Sequence, residues 1–84
     1  MSFRISNHAR EEMTRRGIDL EVVESVLAAP GQIGQEHGGI VCYQSPVIDE
    51  AKRYLLRLMV NDSVEPMVLV TIYKTSKLNK YWQP

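Results

Sequence analysis

One stretch of the sequence decides the fold: RYLLRLMV at residues 53–60, which a short loop joins to MVLVTIYK at residues 67–74. Both segments have strand length and are rich in aliphatic, β-branched and aromatic residues. Because alternate side chains of a strand point to opposite faces, the even-numbered residues share one face. That face is continuously apolar: Tyr54, Leu56, Leu58, Val60, Val68, Val70 and Ile72. We expect it to be the core face of a hairpin whose loop is residues 61–66.

The opposite face of the same hairpin is mixed. Its odd-numbered positions place hydroxyls and a guanidinium among apolar side chains: Arg57, Thr71, Tyr73 and Thr75. These residues are predicted to project away from the core.

Two helices are predicted before the strands. The first runs to Arg16, with Ser6 or Asn7 as its N-cap and Gly17 as its stop. The recurrence of apolar residues every four positions gives its buried stripe as Ile5, Ala9 and Met13. The second helix begins after Asp19 and ends at Pro30-Gly31. Its broad apolar face comprises Leu20, Val22, Val23, Val26 and Leu27.

Two further strands, residues 32–36 and 39–43, flank a hairpin-like break at His37-Gly38. The predicted fold class is therefore α+β, with two N-terminal helices packed on one face of an antiparallel β-sheet meander. With 84 residues, the chain has room for one hydrophobic core, so residues 1–84 are predicted to form a single domain.

The composition excludes several function classes. Hydrophobic residues make up 44% and charged residues 24% of the chain, which is ordinary for a globular protein. Apolar runs are only strand-sized, so no membrane helix is expected. Cys42 is the only cysteine, and with no leader evident a reducing cytoplasm is expected. His8, His37 and Cys42 lack zinc spacing and no phosphate-binding loop is present, so neither metal nor cofactor is expected.

Charge is balanced overall but unevenly distributed. Ten basic and ten acidic residues give a net charge of zero. The first sixteen residues contain four arginines against two glutamates, and the last eleven contain three lysines and no acid. If the fold brings these ends together, they form a basic patch on a neutral protein.

Motifs at both ends resemble a known family. His8-Ala9, Met13 and Arg16-Gly17-Ile18 resemble the opening of the domain-of-unknown-function family 4258. The ending, residues 70–77 followed by Lys80-Tyr81-Trp82, resembles the close of that family. The family is in turn distantly similar to the RelE/barnase-like toxin ribonucleases. The resemblance implies a RelE-like fold, metal-independent cleavage of RNA and a place in a bacterial toxin–antitoxin pair.

Metal-free RNA cleavage needs a base for the 2′-hydroxyl, an acid for the leaving oxygen and cations for the phosphorane. The predicted catalytic residues are His8, Arg57 and Tyr73. The predicted nucleic-acid-binding residues are Arg16, Lys74, Thr75, Lys77 and Lys80. Histidine titrates near neutral pH, and Glu11 or Glu12, one turn further, could hold its tautomer. Tyrosine can stack on a base or donate a proton.

Each of these residues also has a structural interpretation. His8 suits the first turn of a helix, Arg57 and Tyr73 suit a cross-strand cation–π pair, and Tyr81 and Trp82 suit packing against the sheet. The alternative function is a non-catalytic module that binds a protein, such as a cognate antitoxin or another product of a two-gene unit, as a monomer or small homo-oligomer. An edge strand at residues 32–36 suits strand addition.

One structural observation separates the two functions. Convergence of His8, Arg16, Arg57 and Tyr73 in one cleft favours a nuclease, whereas their dispersal favours the binding module.

Overall fold

The computed structural model describes residues 2–83. Its strands are β1 (Phe3–Ile5), β2 (Gln32–Gln35), β3 (Val41–Asp49), β4 (Lys52–Asn61) and β5 (Met67–Thr75). Its α-helices are α1 (Asn7–Arg16), α2 (Leu20–Ala28) and the single turn α3 (Leu78–Tyr81). The strands form one sheet in the order β1-β5-β4-β3-β2. β1 pairs with β5 in parallel and every other pair is antiparallel.

The predicted α+β fold, two N-terminal helices packed on a mostly antiparallel sheet, is confirmed. One helix prediction and one strand prediction are wrong in extent. Ile5 belongs to β1 and not to the stripe of α1, because a three-residue strand is too short to show an alternation. β3 continues to Asp49, six residues beyond the predicted end, and Pro46 lies within it opposite Leu55.

The start of α1 is fixed to the sheet by Ser6. Its hydroxyl oxygen accepts a hydrogen bond from the backbone amide of Ala9 at 3.0 Å, the usual N-cap arrangement. The same hydroxyl donates to the carbonyl of Val70 at 2.8 Å, and the Ser6 amide donates to the carbonyl of Leu69 at 3.0 Å. Gly17 ends the helix in the left-handed conformation at φ 65°. One serine therefore sets both the first turn of α1 and its position on β5.

The hydrophobic core lies between the sheet and the two long helices. Its buried members are Ala9, Ile18, Val23, Val26, Leu27, Leu56, Leu58, Val60, Leu69 and Ile72. The predicted face of α2 is correct for Val23, Val26 and Leu27, but Leu20 is 46% exposed. The even-numbered face of β4 is also confirmed at Leu56, Leu58 and Val60. We call this side of the sheet the helix-covered face.

A β-bulge makes part of the β5 prediction wrong. Met59 pairs with Thr71, but the next residue, Val60, pairs with Leu69, which leaves Val70 as an extra residue on β5. An extra residue reverses the inward and outward alternation beyond it. Leu69 therefore enters the core, and Val68 and Val70 do not belong to the core cluster.

None of the helices within residues 2–83 is long and apolar enough to span a membrane.

The β3–β4 turn offers a test of backbone strain. Glu50 and Ala51 connect the paired residues Asp49 and Lys52, and both have positive φ, 49° and 66°. Two-residue hairpin turns of this kind favour glycine or asparagine, and left-handed backbone costs other residues roughly 1–2 kcal/mol. Replacing alanine with glycine removes this cost, but about 0.5–1 kcal/mol of the benefit is lost because glycine gives the unfolded chain more conformational freedom. Ala51→Gly should therefore raise the free energy of unfolding by about 0.5–1 kcal/mol in urea titrations.

The matched control is Ala28→Gly, an exposed position with helical backbone at the end of α2. Glycine there should lower the stability by up to about 1 kcal/mol. A loss of stability in both variants would contradict the strain assigned to the turn.

Candidate functional site: the arginine face

Four polar side chains stand in register across four strands on the side of the sheet opposite α1 and α2. Gln32 pairs with Gln44, Gln44 with Arg57, and Arg57 with Tyr73. Register partners on neighbouring strands project on the same side, so these residues form a row perpendicular to the strands. We call this side of the sheet the arginine face. The prediction that Arg57 and Tyr73 project away from the core is confirmed.

The row is joined by hydrogen bonds from end to end. The Nε2 of Gln44 donates to Oε1 of Gln32 at 2.8 Å, and the Nε of Arg57 donates to Oε1 of Gln44 at 2.9 Å. The Nη1 of Arg57 donates to the hydroxyl of Tyr73 at 2.5 Å. Each side chain thus orients the next, and these hydrogen bonds fix the orientation of the guanidinium plane.

Arg57 is a charged residue with only 7% of its surface exposed. Its Nη2 lies 3.6 Å from the carboxylate of Glu36, whose side chain is 37% exposed. Burial opposes the charge, but the hydrogen bond with Tyr73 and the surrounding acidic groups outweigh it and raise the pKa of Arg57 above its ordinary value. The guanidinium therefore stays protonated inside the fold.

The C-terminal segment, residues 78–83, covers this row. The Cζ of Arg57 lies 4.3 Å from the ring centroid of Tyr81 and 5.7 Å from that of Tyr73, both within cation–π range. The two rings meet edge to face, with centroids 6.5 Å apart. The carbonyl of Tyr81 accepts from Nε2 of Gln44 at 3.1 Å. The predicted packing of Tyr81 against the sheet is confirmed.

The last part of the segment is held at β2. The amide of Gln83 donates to Oε1 of Gln32 at 3.0 Å, and its carbonyl accepts from Nε2 of the same side chain. The indole of Trp82 packs so closely on Gly31 that an added Cβ there would lie 2.8 Å from its Cη2. The prediction that Trp82 packs against the protein is also confirmed.

A cationic hollow of about 550 Å³ opens beside α3. The residues lining it are Arg53, Ser76, Lys77, Leu78, Asn79 and Lys80. All of its charged lining residues are positive. The Nζ of Lys80 also lies 5.2 Å from the ring centroid of Tyr81, which connects the hollow to the arginine face.

The predicted catalytic residues do not form one cluster. Arg57 and Tyr73 are in contact on the arginine face, whereas His8 is exposed in the first turn of α1, on the other side of the sheet. Glu12 accepts hydrogen bonds from Arg15 at 2.6 Å and Arg16 at 3.2 Å. Its carboxylate is therefore engaged with these arginines.

The predicted nucleic-acid-binding residues are also divided. Arg16 is paired with Glu12 at the end of α1. Lys74 is on the helix-covered face, 2.5 Å from Oδ2 of Asp49. Lys77 and Lys80 line the cationic hollow, and the hydroxyl oxygen of Thr75 accepts from the amide of Lys77 at 3.1 Å.

The sequence reasoning missed Gln44 and Arg53. Gln44 lies in the part of β3 that the prediction left out, so its register with Arg57 was not visible. Arg53 lies four residues before Arg57 and therefore on the same odd-numbered face, and this spacing could have identified Arg53 from the sequence.

Cys42 lies beside the row, where its Sγ donates to Oε1 of Gln44 at 3.9 Å. Burial raises the pKa of the Cys42 thiol, which keeps it in the neutral, unreactive form. Within residues 2–83, no three His, Cys, Asp or Glu side chains are grouped so that they could hold a metal ion.

The fold and the site together define a small α+β domain in which two helices cover one sheet face and a buried arginine organises the other. Residues 5–74 match the family described as Domain of unknown function (DUF4258), and the chain belongs to this family. The match ends at Lys74, so the C-terminal segment lies outside it. No curated protein and no solved structure matches the chain. The similarity to RelE-like nucleases stays a prediction.

Glu12 predicts a pH dependence of stability. The hydrogen bond from Arg15, supported by Arg16, lowers the pKa of Glu12 from 4.5 to about 2. A carboxyl group whose pKa is lower in the folded chain stabilises the fold above its unfolded pKa, and the contribution is lost as the pH falls from about 4.5 to about 2. In urea titrations across this range, Glu12→Gln should lose less stability on acidification than the wild type. The exposed neighbour Glu11→Gln is the control, and parallel pH profiles for Glu12→Gln and wild type would contradict the assignment.

The burial of Arg57 predicts that its replacement lowers the free energy of unfolding much more than replacement of Arg53, which lies on the same strand and face. Arg57→Met keeps much of the stem but leaves Gln44 and Tyr73 without their charged partner. The free energy of unfolding should fall by about 2–4 kcal/mol, and Trp82 fluorescence should shift to longer wavelength as its segment loosens. Arg53→Met, at an exposed position, should stay within about 0.5 kcal/mol of wild type. Equal losses in the two variants would show that the row does not depend on Arg57.

Proposed function

We propose that this protein binds RNA through the cationic hollow and the aromatic C-terminal segment at the end of the arginine face. The observation that carries the proposal is a group of cations beside aromatic rings, with no acid among the residues that line the hollow. Phosphates are bound by lysine and arginine, and unpaired bases stack on aromatic side chains. This surface supplies both on a protein whose net charge is zero.

The distribution of ion pairs supports this choice of surface. On the helix-covered side, Arg15, Arg16 and Lys74 are all neutralised by carboxylates. Among the ion pairs of residues 2–83, none involves Arg53 or the lysines of the hollow. These cations remain available to an anionic ligand. Arg4 and Arg10 also lie outside the ion pairs of residues 2–83, but the hollow that they line contains Glu24, whereas the cationic hollow has no acid in its lining.

Aromatic groups adjoin these cations. The guanidinium of Arg57 and the ammonium of Lys80 both lie over the ring of Tyr81, 4.3 and 5.2 Å from its centroid. Trp82 follows it in the chain and lies at the same end of the sheet. Base stacking is worth about 1–3 kcal/mol per base and does not require a particular sequence. A single-stranded RNA therefore suits this surface better than a duplex, whose bases are already stacked.

The placement of His8 favours binding over cleavage. General acid–base catalysis requires a base within hydrogen-bond reach of the reacting proton, or at most one water away. His8 and Arg16 lie across the sheet from Arg57 and Tyr73. This dispersal argues against catalysis and by itself favours the protein-binding module, whereas the acid-free lining of the cationic hollow favours RNA as the ligand. We therefore propose binding as the function, with ribonuclease activity as the more specific alternative that the same assay detects.

Protein binding at β2 is a second candidate function. β2 is an edge strand with the neutral sequence Gln-Ile-Gly-Gln, and Ile33 on it is 56% exposed. A short, uncharged edge offers free backbone groups to an incoming strand. A partner protein, such as a cognate antitoxin, would extend the sheet there without covering the cationic hollow.

RNA binding predicts a specific salt dependence. A single-stranded RNA of about ten nucleotides should be retarded in native gels at low salt, with affinity falling steeply between about 50 and 200 mM. Lys77→Ala and Lys80→Ala should each reduce the log–log slope by about one unit, because each removes one phosphate contact. Arg10→Ala, an exposed cation on α1, is the control and should leave the slope unchanged.

The outcomes separate the candidate functions. If wild-type protein fails to retard RNA at the lowest salt, the proposal is wrong and strand addition at β2 becomes the leading function. If Arg10→Ala changes the slope as much as Lys77→Ala, the wrong surface has been chosen. RNA fragments produced by wild type but not by His8→Ala would establish the nuclease instead.

A further inference from the structure

A second hollow of about 350 Å³ lies between the C-terminal segment and strands β3 and β4. The residues lining it are Pro46, Arg53, Leu78, Asn79 and Trp82. Arg53, Leu78 and Asn79 also line the cationic hollow, so the two spaces adjoin. The smaller hollow has an aromatic and aliphatic wall formed by Trp82 and Leu78, and the cationic hollow contains the lysines.

This division matches the two halves of a nucleotide. A base needs a flat apolar surface together with a group that can both donate and accept hydrogen bonds, which Trp82 and the amide of Asn79 provide. A phosphate needs cations, which Lys77 and Lys80 provide. Arg53 is shared by both hollows, at the position where the phosphate would join the nucleoside.

We propose that the paired hollows are a binding site for one nucleotide, with the base against Trp82 and the phosphate between Arg53 and Lys77. The proposal rests on the proposed RNA function and names the unit of RNA that this surface holds. The smaller hollow is at the lower end of the size range of ligand sites, about 300–1,000 Å³. That size suits a single base and not a stacked pair.

The indole of Trp82 gives the site a preference among bases. The amide of Asn79 can pair with the N6–H and N7 of adenine or with the N3–H and O4 of uracil, but the larger purine ring covers more of the indole. Adenosine monophosphate should therefore bind more tightly than uridine monophosphate.

Gly31 is a positioning residue for the wall of the site. A side chain at this position would collide with Cη2 of Trp82, so Gly31→Ala must shift the indole. Gly31 does not line either hollow, so the variant alters the shape of the site and leaves its chemical groups intact. Leu78, Asn79 and Trp82 lie beyond residues 5–74, the part of the chain that the family match covers.

The fluorescence of Trp82 provides the experiment, because it is the only tryptophan in the chain. Titration of wild type with adenosine monophosphate should quench the fluorescence to saturation, and uridine monophosphate should require a higher concentration. Arg53→Gln should weaken the affinity about tenfold through loss of a charged contact, and Gly31→Ala should weaken it and also change the fluorescence of the free protein. Arg10→Ala is the control and should match wild type.

The results distinguish this site from the proposed function. If RNA is retarded in a Lys77-dependent manner but no mononucleotide quenches Trp82, the nucleotide site is wrong and RNA binding stands. If adenosine monophosphate binds and RNA does not, the site stands and the proposed function fails. Quenching that is unchanged in both Arg53→Gln and Gly31→Ala overturns the site.

Discussion

The guanidinium of Arg57 is a charge held between a sheet and a covering segment, and this constraint governs the arginine face. Removing a charge from water is costly unless hydrogen bonds and opposite charge replace the lost solvation. Gln44, Tyr73 and Glu36 provide that replacement from three other parts of the chain. The ring of Tyr81 then covers the guanidinium, and this contact helps to fix the short helix α3, which is too short to be stable alone. The cationic and aromatic hollows exist because that segment is held in place.

Much of the fold followed from local sequence patterns. The cap at Ser6, the stop at Gly17 and the alternation of β4 are local signals, and the structure confirms each of them. The bulge at Val70 could not be predicted, because both alternations along β5 are apolar there and only pairing with β4 decides which one turns inward. β1 was missed for a related reason: its three residues are too few to show an alternation, and only their pairing with β5 makes them a strand.

The candidate site was predictable only in part. The odd-numbered spacing placed Arg57 and Tyr73 on one face, because the alternation of side chains along a strand is a local property that does not depend on the rest of the fold. His8 was grouped with them on chemistry alone, although the apolar even-numbered face already indicated that the helices lie on the side of the sheet opposite Arg57 and Tyr73. Gln44 required the register of β3 with β4, which is a tertiary property. The C-terminal segment was expected to pack on the sheet, but the hollows it forms depend on its path from Tyr81 to Gln32.

The surface that we propose for RNA lies at the end of the arginine face, and not on the helix-covered face. The most direct test is an NMR titration of isotope-labelled protein with a short single-stranded RNA at low salt. RNA binding at this surface should shift the indole N–H of Trp82, the side-chain amide of Asn79 and the backbone amides of Lys77 and Lys80, with α1 unchanged. Shifts confined to α1 around His8 and Arg10, or none in any signal, would contradict it.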